Sequence, residues 1–225
     1  MQFIVKELFL ISRWFRHMNM PERLPENMPI RGNRFSVFMG AFVLKMMGWR
    51  MEGEFPNEKK VIIAVAPHTS NWDFVIAVSF MFCMRLKTSF MAKSTLFMPP
   101  FRSIMHWLGG LPINRSRAHG VVAQMVDKFK KEETLVLALA PEGTRRLAPR
   151  WKTGFLQIAA KADVPVLLLG LDYKRKVFVV GPCLNISHDI DAELNRTLAF
   201  FDEITGKYPE NCNTKGQELE KSVEK

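Results

Sequence analysis

The sequence predicts an α/β fold, a single domain with a mixed central sheet flanked by helices, and three observations carry that prediction. From residue 51 onward, short β-branched apolar runs alternate with longer amphipathic ones. Three of the apolar runs end in turns that carry polar or charged side chains, the usual place for a site in such a fold. The chain has 225 residues, few enough for one domain and enough to bury a sizeable core. We divide it into an N-terminal part (1–50), the α/β domain (51–205) and a polar tail (206–225) expected to be disordered.

The N-terminal part is unusually apolar. Phe3-Ile4-Val5 and Leu8-Phe9-Leu10-Ile11 are interrupted by Lys6 and Glu7 and followed by Arg13, Trp14 and Arg16. A second run, residues 35–44, meets Lys45 after ten residues, against the ~20 that a membrane-spanning helix needs. Neither carries the small-residue cleavage site of a signal peptide. Both suit amphipathic helices that associate with a membrane surface, with Trp and basic residues at the boundary. Packing of the second helix on the core is the other reading of so short a run.

In the α/β domain, Val61 to Ala66 is uncharged and β-branched, as a buried strand should be, and a helix follows to about Leu86. Ser89 to Ala92 reads as a strand and Pro99 to Leu108 as a short helix stopped by Gly109 and Gly110. Leu111 to Arg115 is extended, and Pro112 places it near a sheet edge. His119 to Glu132 is an amphipathic helix, Leu135 to Ala140 a strand, Gly154 to Asp163 a helix. Val166 to Leu171 and Lys176 to Val180 are strands, and Asp189 to Thr205 closes the domain as a helix.

The formal net charge of +10 calls for an anionic partner, whether nucleic acid, acidic lipid headgroups or a phosphorylated substrate. Nucleic acid is disfavoured, since the aromatics are mostly Phe within apolar runs and do not interleave with the cations as a stacking platform would. Cys83, Cys183 and Cys212 are far apart, leave one thiol over in any pairing and have no metal-ligand spacing, which favours a reducing compartment. No metal is expected.

The chemistry centres on Ala66-Pro67-His68-Thr69-Ser70-Asn71-Trp72-Asp73, on the turn from strand to helix. Five residues apart on one helix, His68 and Asp73 would face different ways, but with His68 in the turn and Asp73 in the first helical turn the carboxylate reaches Nδ1. Ser70 or Asn71 is the expected N-cap. A carboxylate on Nδ1 fixes the tautomer and leaves Nε2 to accept a proton. Two basic clusters, Arg115 with Arg117 and Arg145, Arg146, Arg150 with Lys152, follow other strands, and Arg suits phosphate.

These stretches resemble the ordered blocks of the glycerolipid acyltransferase superfamily, typified by lysophosphatidic acid acyltransferases. The blocks are His68 to Asp73, Gly109-Gly110-Leu111-Pro112-Ile113-Asn114-Arg115, Pro141-Glu142-Gly143-Thr144-Arg145 and Val164-Pro165-Val166, within residues 60–170. The resemblance implies that His68 takes the proton from a free glycerol hydroxyl while Asp73 holds the imidazole. The hydroxyl oxygen then attacks an acyl thioester carried on coenzyme A or acyl carrier protein. Residues Arg115, Glu142, Gly143, Thr144 and Arg145 would bind the glycerol phosphate, with Lys93, Arg117 and Lys152 as further phosphate or carrier contacts. Backbone N–H groups at the helix start near Asn71 would meet the oxyanion. No cofactor is implied, and no G-x-S-x-G nucleophile is present.

The expected protein is thus an O-acyltransferase on the cytoplasmic face of a membrane, converting 1-acylglycerol-3-phosphate to phosphatidic acid. Two other readings stay open: the same chemistry on lysophosphatidylethanolamine or a lyso-aminolipid, or a non-catalytic lipid-binding protein of the membrane surface.

Overall fold

The computed structural model describes residues 11–113 and 118–214. Seven strands form one sheet: β1 (Arg50–Glu52), β2 (Lys60–Ala66), β3 (Thr88–Lys93), β4 (Gly110–Ile113), β5 (Leu135–Leu139), β6 (Val166–Asp172) and β7 (Val177–Leu184). Their order across the sheet is β1-β7-β6-β2-β5-β3-β4. The β6–β7 pair is antiparallel and the others are parallel, so the sheet is mixed, as expected. The helices are α1 (residues 11–17), α2 (Arg34–Met47), α3 (Trp72–Cys83), α4 (Arg102–Trp107), α5 (Ala118–Lys131), α6 (Gly154–Ala162) and α7 (Ile190–Phe201).

Parallel pairing explains the composition of the central strands. A parallel sheet is covered on both faces, so its strands read as continuous apolar runs rather than alternating ones. All seven residues of β6 are buried. Odd and even positions feed two cores: Val61, Ile63, Leu167, Leu169 and Leu171 join the layer formed by α2 and α3. Ile62, Ala64, Ala66, Val166 and Leu168 join the layer of α5, α6 and α7. β4 is an edge strand of the sheet, as Pro112 predicts.

The N-terminal part is built into the domain. α2 begins with an Asn33–Ser36 capping box and ends at Gly48 in the left-handed region. Its Gly40, Ala41 and Leu44 are buried, and Gly40 allows a close backbone crossing with α3, since a Cβ there would lie 2.4 Å from the Ser79 carbonyl oxygen. The opposite stripe, Phe35, Met39, Phe42 and Met46, is exposed. Core packing, one of the two readings of residues 35–44, therefore describes one face of α2, and the other face is apolar and exposed. Residues 3–10 lie outside the described residues.

Several boundaries differ from expectation: β7 runs on to Leu184 rather than Val180, and α7 ends at Phe201 rather than Thr205. α3 ends at Cys83 rather than Leu86, because Arg85 turns into positive φ and Leu86 bridges back to Ile30. Residues 206–214, placed by sequence in the polar tail, pack on the domain. Gly206 sits against Pro67 and Thr69, the Tyr208 N–H donates to Thr69 Oγ1 at 3.2 Å, and Asn213 Nδ2 donates to the Ala148 carbonyl at 3.1 Å. Residues 215–225 lie outside the described residues.

Candidate active site

Strands β2, β3, β4, β5 and β6 run in one direction, so their carboxyl ends share one edge of the sheet. That edge receives His68 from the turn after β2, Glu142 to Arg145 from the loop after β5, and Tyr173 from the start of the β6–β7 hairpin. β3 ends at Lys93 and β4 at Ile113, whose register pairs the two residues. Arg115 and Arg117 lie outside the described residues.

Asp73 is the hub. It stands in the first turn of α3, where a carboxylate is favoured by the helix dipole, and is only 1% exposed. Its Oδ2 lies 3.1 Å from His68 Nδ1 and accepts the N–H groups of Thr69 and Ser70, each at 2.8 Å. Its Oδ1 accepts from the Tyr173 hydroxyl. His68 keeps 28% of its side-chain surface exposed, with Nδ1 occupied and Nε2 left as the proton acceptor.

The N-cap falls at Asn71, one of the two residues expected, but the capping bonds come from its neighbours. Asn71 itself makes no side-chain cap bond. The capping is done from inside the helix by Asp73 reaching back to the turn, with Ser70 Oγ taking the Trp72 N–H at 3.1 Å. The expected oxyanion donors are affected too. The Thr69, Ser70 and Trp72 amides at the helix start are already engaged.

Glu142 differs most from a phosphate ligand. It is 4% exposed, and its Oε2 accepts the His68 backbone N–H at 2.7 Å. Its Oε1 has no hydrogen-bond partner among the described residues. Burial raises its pKa to about 7, against the lowering by the His68 N–H and with a further rise from the Asp73 charge. Buried and turned onto the His68 backbone, Glu142 fits a brace for the turn that carries His68.

Residues 144–147 of the β5 loop are exposed, whereas Ala148 and Trp151 are buried. Gly143 has φ +65°, a conformation that favours glycine, and a Cβ there would come within 3.1 Å of the Lys152 stem. The close approach that Gly143 permits is thus with Lys152, whose N–H also donates to the Pro141 carbonyl at 2.9 Å. Thr144 Oγ1 accepts the Arg146 N–H at 3.2 Å. Arg145 is exposed and donates through Nη1 to Asn71 Oδ1, which ties the loop to the start of α3 beside His68.

Sequence reasoning missed Tyr173. It belongs to no motif, but it is the first residue after a strand whose carboxyl end lies at the site, the same topological signal that singled out His68 and Glu142. It also missed the C-terminal segment, which supports the turn through Gly206 and Tyr208 and places Lys207 Nζ 5.0 Å from the Trp72 ring centroid.

A carboxylate-backed histidine at the carboxyl edge of a mixed α/β sheet defines a class of general-base transfer sites. The fold is that of the crystal structure of the 1-acyl-sn-glycerophosphate (LPA) acyltransferase PlsC from Thermotoga maritima. That structure is matched with a TM-score of 0.50 and 18% identity over 77% of this chain and 81% of that one. The chain belongs to the Acyltransferase family, whose model matches residues 49–170. Among curated relatives, the 1-acyl-sn-glycerol-3-phosphate acyltransferase of Escherichia coli is 36% identical over 133 residues, 54% of this chain and 52% of that one. The enzyme of the same name from Haemophilus influenzae is 31% identical over 133 residues, 54% and 53% of the two chains. That from Salmonella typhimurium is 32% identical over 153 residues, 64% and 60%. The chain spans about half the length of the first two.

The raised pKa of Glu142 has a stability consequence. The folded chain holds this proton up to about pH 7, whereas the unfolded chain releases it near 4.5. Between those values the unfolded state binds fewer protons, so stability falls as pH rises. Glu142→Gln keeps an acceptor for the His68 N–H and removes the charge. Thermal and urea unfolding should show E142Q matching the parent chain below pH 4.5 and exceeding it at pH 8 by on the order of 1–3 kcal/mol. Equal stability at both pH values would mean the carboxylate ionises without penalty.

Proposed function

We propose that this chain is a membrane-associated O-acyltransferase that moves a fatty acyl group from a thioester to the free hydroxyl of a lysophospholipid, with 1-acylglycerol-3-phosphate as acceptor and phosphatidic acid as product. The observation that carries the reading is the 3.1 Å contact of His68 Nδ1 with buried Asp73, which leaves Nε2 as a base at the strand ends. The names of the curated relatives and the family match support the acyl chemistry and the acceptor.

In this mechanism Nε2 takes the hydroxyl proton as the oxygen attacks the thioester carbonyl. The imidazolium then returns the proton to the departing thiolate of coenzyme A or acyl carrier protein. Asp73 stabilises the imidazolium throughout. General-base assistance of this kind contributes about 10²–10⁴-fold. The acceptor phosphate is held by the exposed cations of the β5 loop, Arg145 and Lys152, with Arg115, Arg117 and Lys93 as the further cations that the sequence resemblance names. Glu142, Gly143 and Thr144 shape that loop. No metal or cofactor takes part in this reading.

The membrane reading rests on surface chemistry. None of the described helices is long and apolar enough to cross a membrane. The exposed stripe of α2 is continued at α4, where Phe101, Ile104 and Trp107 are each more than half exposed. The Arg31 guanidinium, just before α2, lies 5.1 Å from the Trp107 ring, and Trp107 stands edge-on to Phe82 of α3. An apolar platform rimmed by Arg31, Arg34 and Arg102 fits an anionic bilayer surface.

Thiol release from palmitoyl-coenzyme A tests the catalytic reading, with lysophosphatidic acid, lysophosphatidylethanolamine or no acceptor. Release should require lysophosphatidic acid and fall about 10³-fold in His68→Ala without loss of fold. Release with lysophosphatidylethanolamine instead changes the acceptor. Failure with both coenzyme A and acyl carrier protein thioesters leaves a lipid-binding protein.

Sedimentation with anionic vesicles tests the surface. Replacing exposed Phe35, Met46, Ile104 and Trp107 together by Ser removes apolar groups worth about 1 kcal/mol each at a half-buried interface. Partitioning should fall at least ten-fold with melting temperature little changed. Undiminished partitioning would place the membrane contact elsewhere.

A further inference from the structure

We propose that Tyr173 is a positioning residue that tunes the basicity of His68 through Asp73, an inference that rests on the general-base reading above. The two carboxylate oxygens of Asp73 are not equivalent. Oδ2 is shared by the Thr69 and Ser70 amides and by His68 Nδ1. Oδ1 accepts from one group among the described residues, the Tyr173 hydroxyl.

The residue that carries that hydroxyl is held by its backbone and by its ring. Tyr173 opens the β6–β7 hairpin, and its N–H donates to the Thr205 carbonyl at 2.8 Å. Its ring lies edge-on to Trp49 with centroids 5.0 Å apart, and Trp49, 2% exposed, packs in turn on Phe178. Burial, then the hydrogen bond to Asp73 and its charge, then Tyr208, raise the phenol pKa far above its ordinary value, so the group remains a donor at any working pH.

A donor on Oδ1 draws carboxylate charge away from the imidazole. In the transition state the proton moves from the acceptor hydroxyl to Nε2, and the resulting imidazolium is stabilised by whatever charge Asp73 retains toward Nδ1. A bare carboxylate would hold the imidazolium so strongly that His68 would stay protonated to higher pH and be absent as a base. The Tyr173 bond moderates that pull.

The other charged and titratable groups near the pair leave this role to Tyr173. Glu142, from the β5 loop, is held toward its protonated form by burial and bonds the His68 backbone rather than its ring. Tyr208, from the C-terminal segment, acts on Tyr173 rather than on Asp73. Arg145 is tied to Asn71. Asp172 is occupied by Arg175, whose Nε lies 2.7 Å from Oδ2.

The test is the pH dependence of acyl transfer in full-length protein, using palmitoyl-coenzyme A and whichever lysophospholipid supports release. Tyr173→Phe keeps the ring against Trp49 and removes only the donor. Its acid limb should move up by about one pH unit, with the rate on the plateau above it within roughly three-fold of the parent. The opposite perturbation needs no loss of volume. The chain has two tyrosines, so uniform 3-fluorotyrosine in a Tyr208→Phe background places a more acidic, stronger donor at position 173 alone. Its limb should move down. An acid limb that stays in place in both proteins, whatever happens to the plateau, overturns the proposal and leaves Tyr173 as packing. If Y173F does not fold, the fluorotyrosine protein decides alone. A parent protein with no acyl transfer to any acceptor overturns instead the general-base reading on which this one stands.

Discussion

The fold and the site converge on one buried charge. Asp73 is almost wholly removed from water, and an ionised carboxylate there is tolerable only because donors from two segments surround it: the turn after β2, with the histidine it carries, and the β6–β7 hairpin. The turn cannot relax without releasing Thr69 and Ser70 from that carboxylate. The hairpin cannot shift without taking Tyr173 with it. Position and electrostatics of His68 are therefore set by the same hydrogen bonds.

Everything else at the edge of the sheet supports that turn from outside. Glu142 anchors the His68 backbone from the β5 loop, and Arg145 clamps the loop to Asn71. Gly206 and Tyr208 close over Pro67 and Thr69 from the C-terminal segment. These contacts come from stretches far apart in sequence, which explains why a single histidine on a loop can be held as firmly as one on a strand. The parallel strands make this possible by delivering their ends to one side.

Much of this was legible in the residues. The buried parallel strands announce themselves as unbroken apolar runs, because both faces of the sheet are covered, and Pro112 placed β4 at the edge. The His68 to Asp73 spacing identified the pair, since a turn followed by one helical step is the geometry that brings them together. The direction of Glu142 was not legible: a motif letter does not say whether a carboxylate faces solvent or the neighbouring backbone. Tyr173 was hidden because its partner lies 100 residues earlier. The tail read as polar and loose because its contacts are made by a glycine, by backbone groups and by polar side chains such as Asn213, which leave no hydrophobic period. α2 could not be resolved by pattern alone, since it is apolar on the face against α3 and also on the face it exposes.

The most direct test of this account removes the charge of Asp73 and keeps its shape. Asp73→Asn can still accept the Thr69 and Ser70 amides through its side-chain oxygen and can meet the Tyr173 hydroxyl with its amide, so the turn has the means to form. Without the carboxylate, the imidazolium loses its counter-charge, and the acyl-transfer rate at pH 7.5 should fall by two to four orders of magnitude, about the range of general-base assistance, in a protein that melts cooperatively. A folded D73N protein that transfers acyl groups at close to the parent rate would contradict the claim that this buried charge is what makes His68 a base.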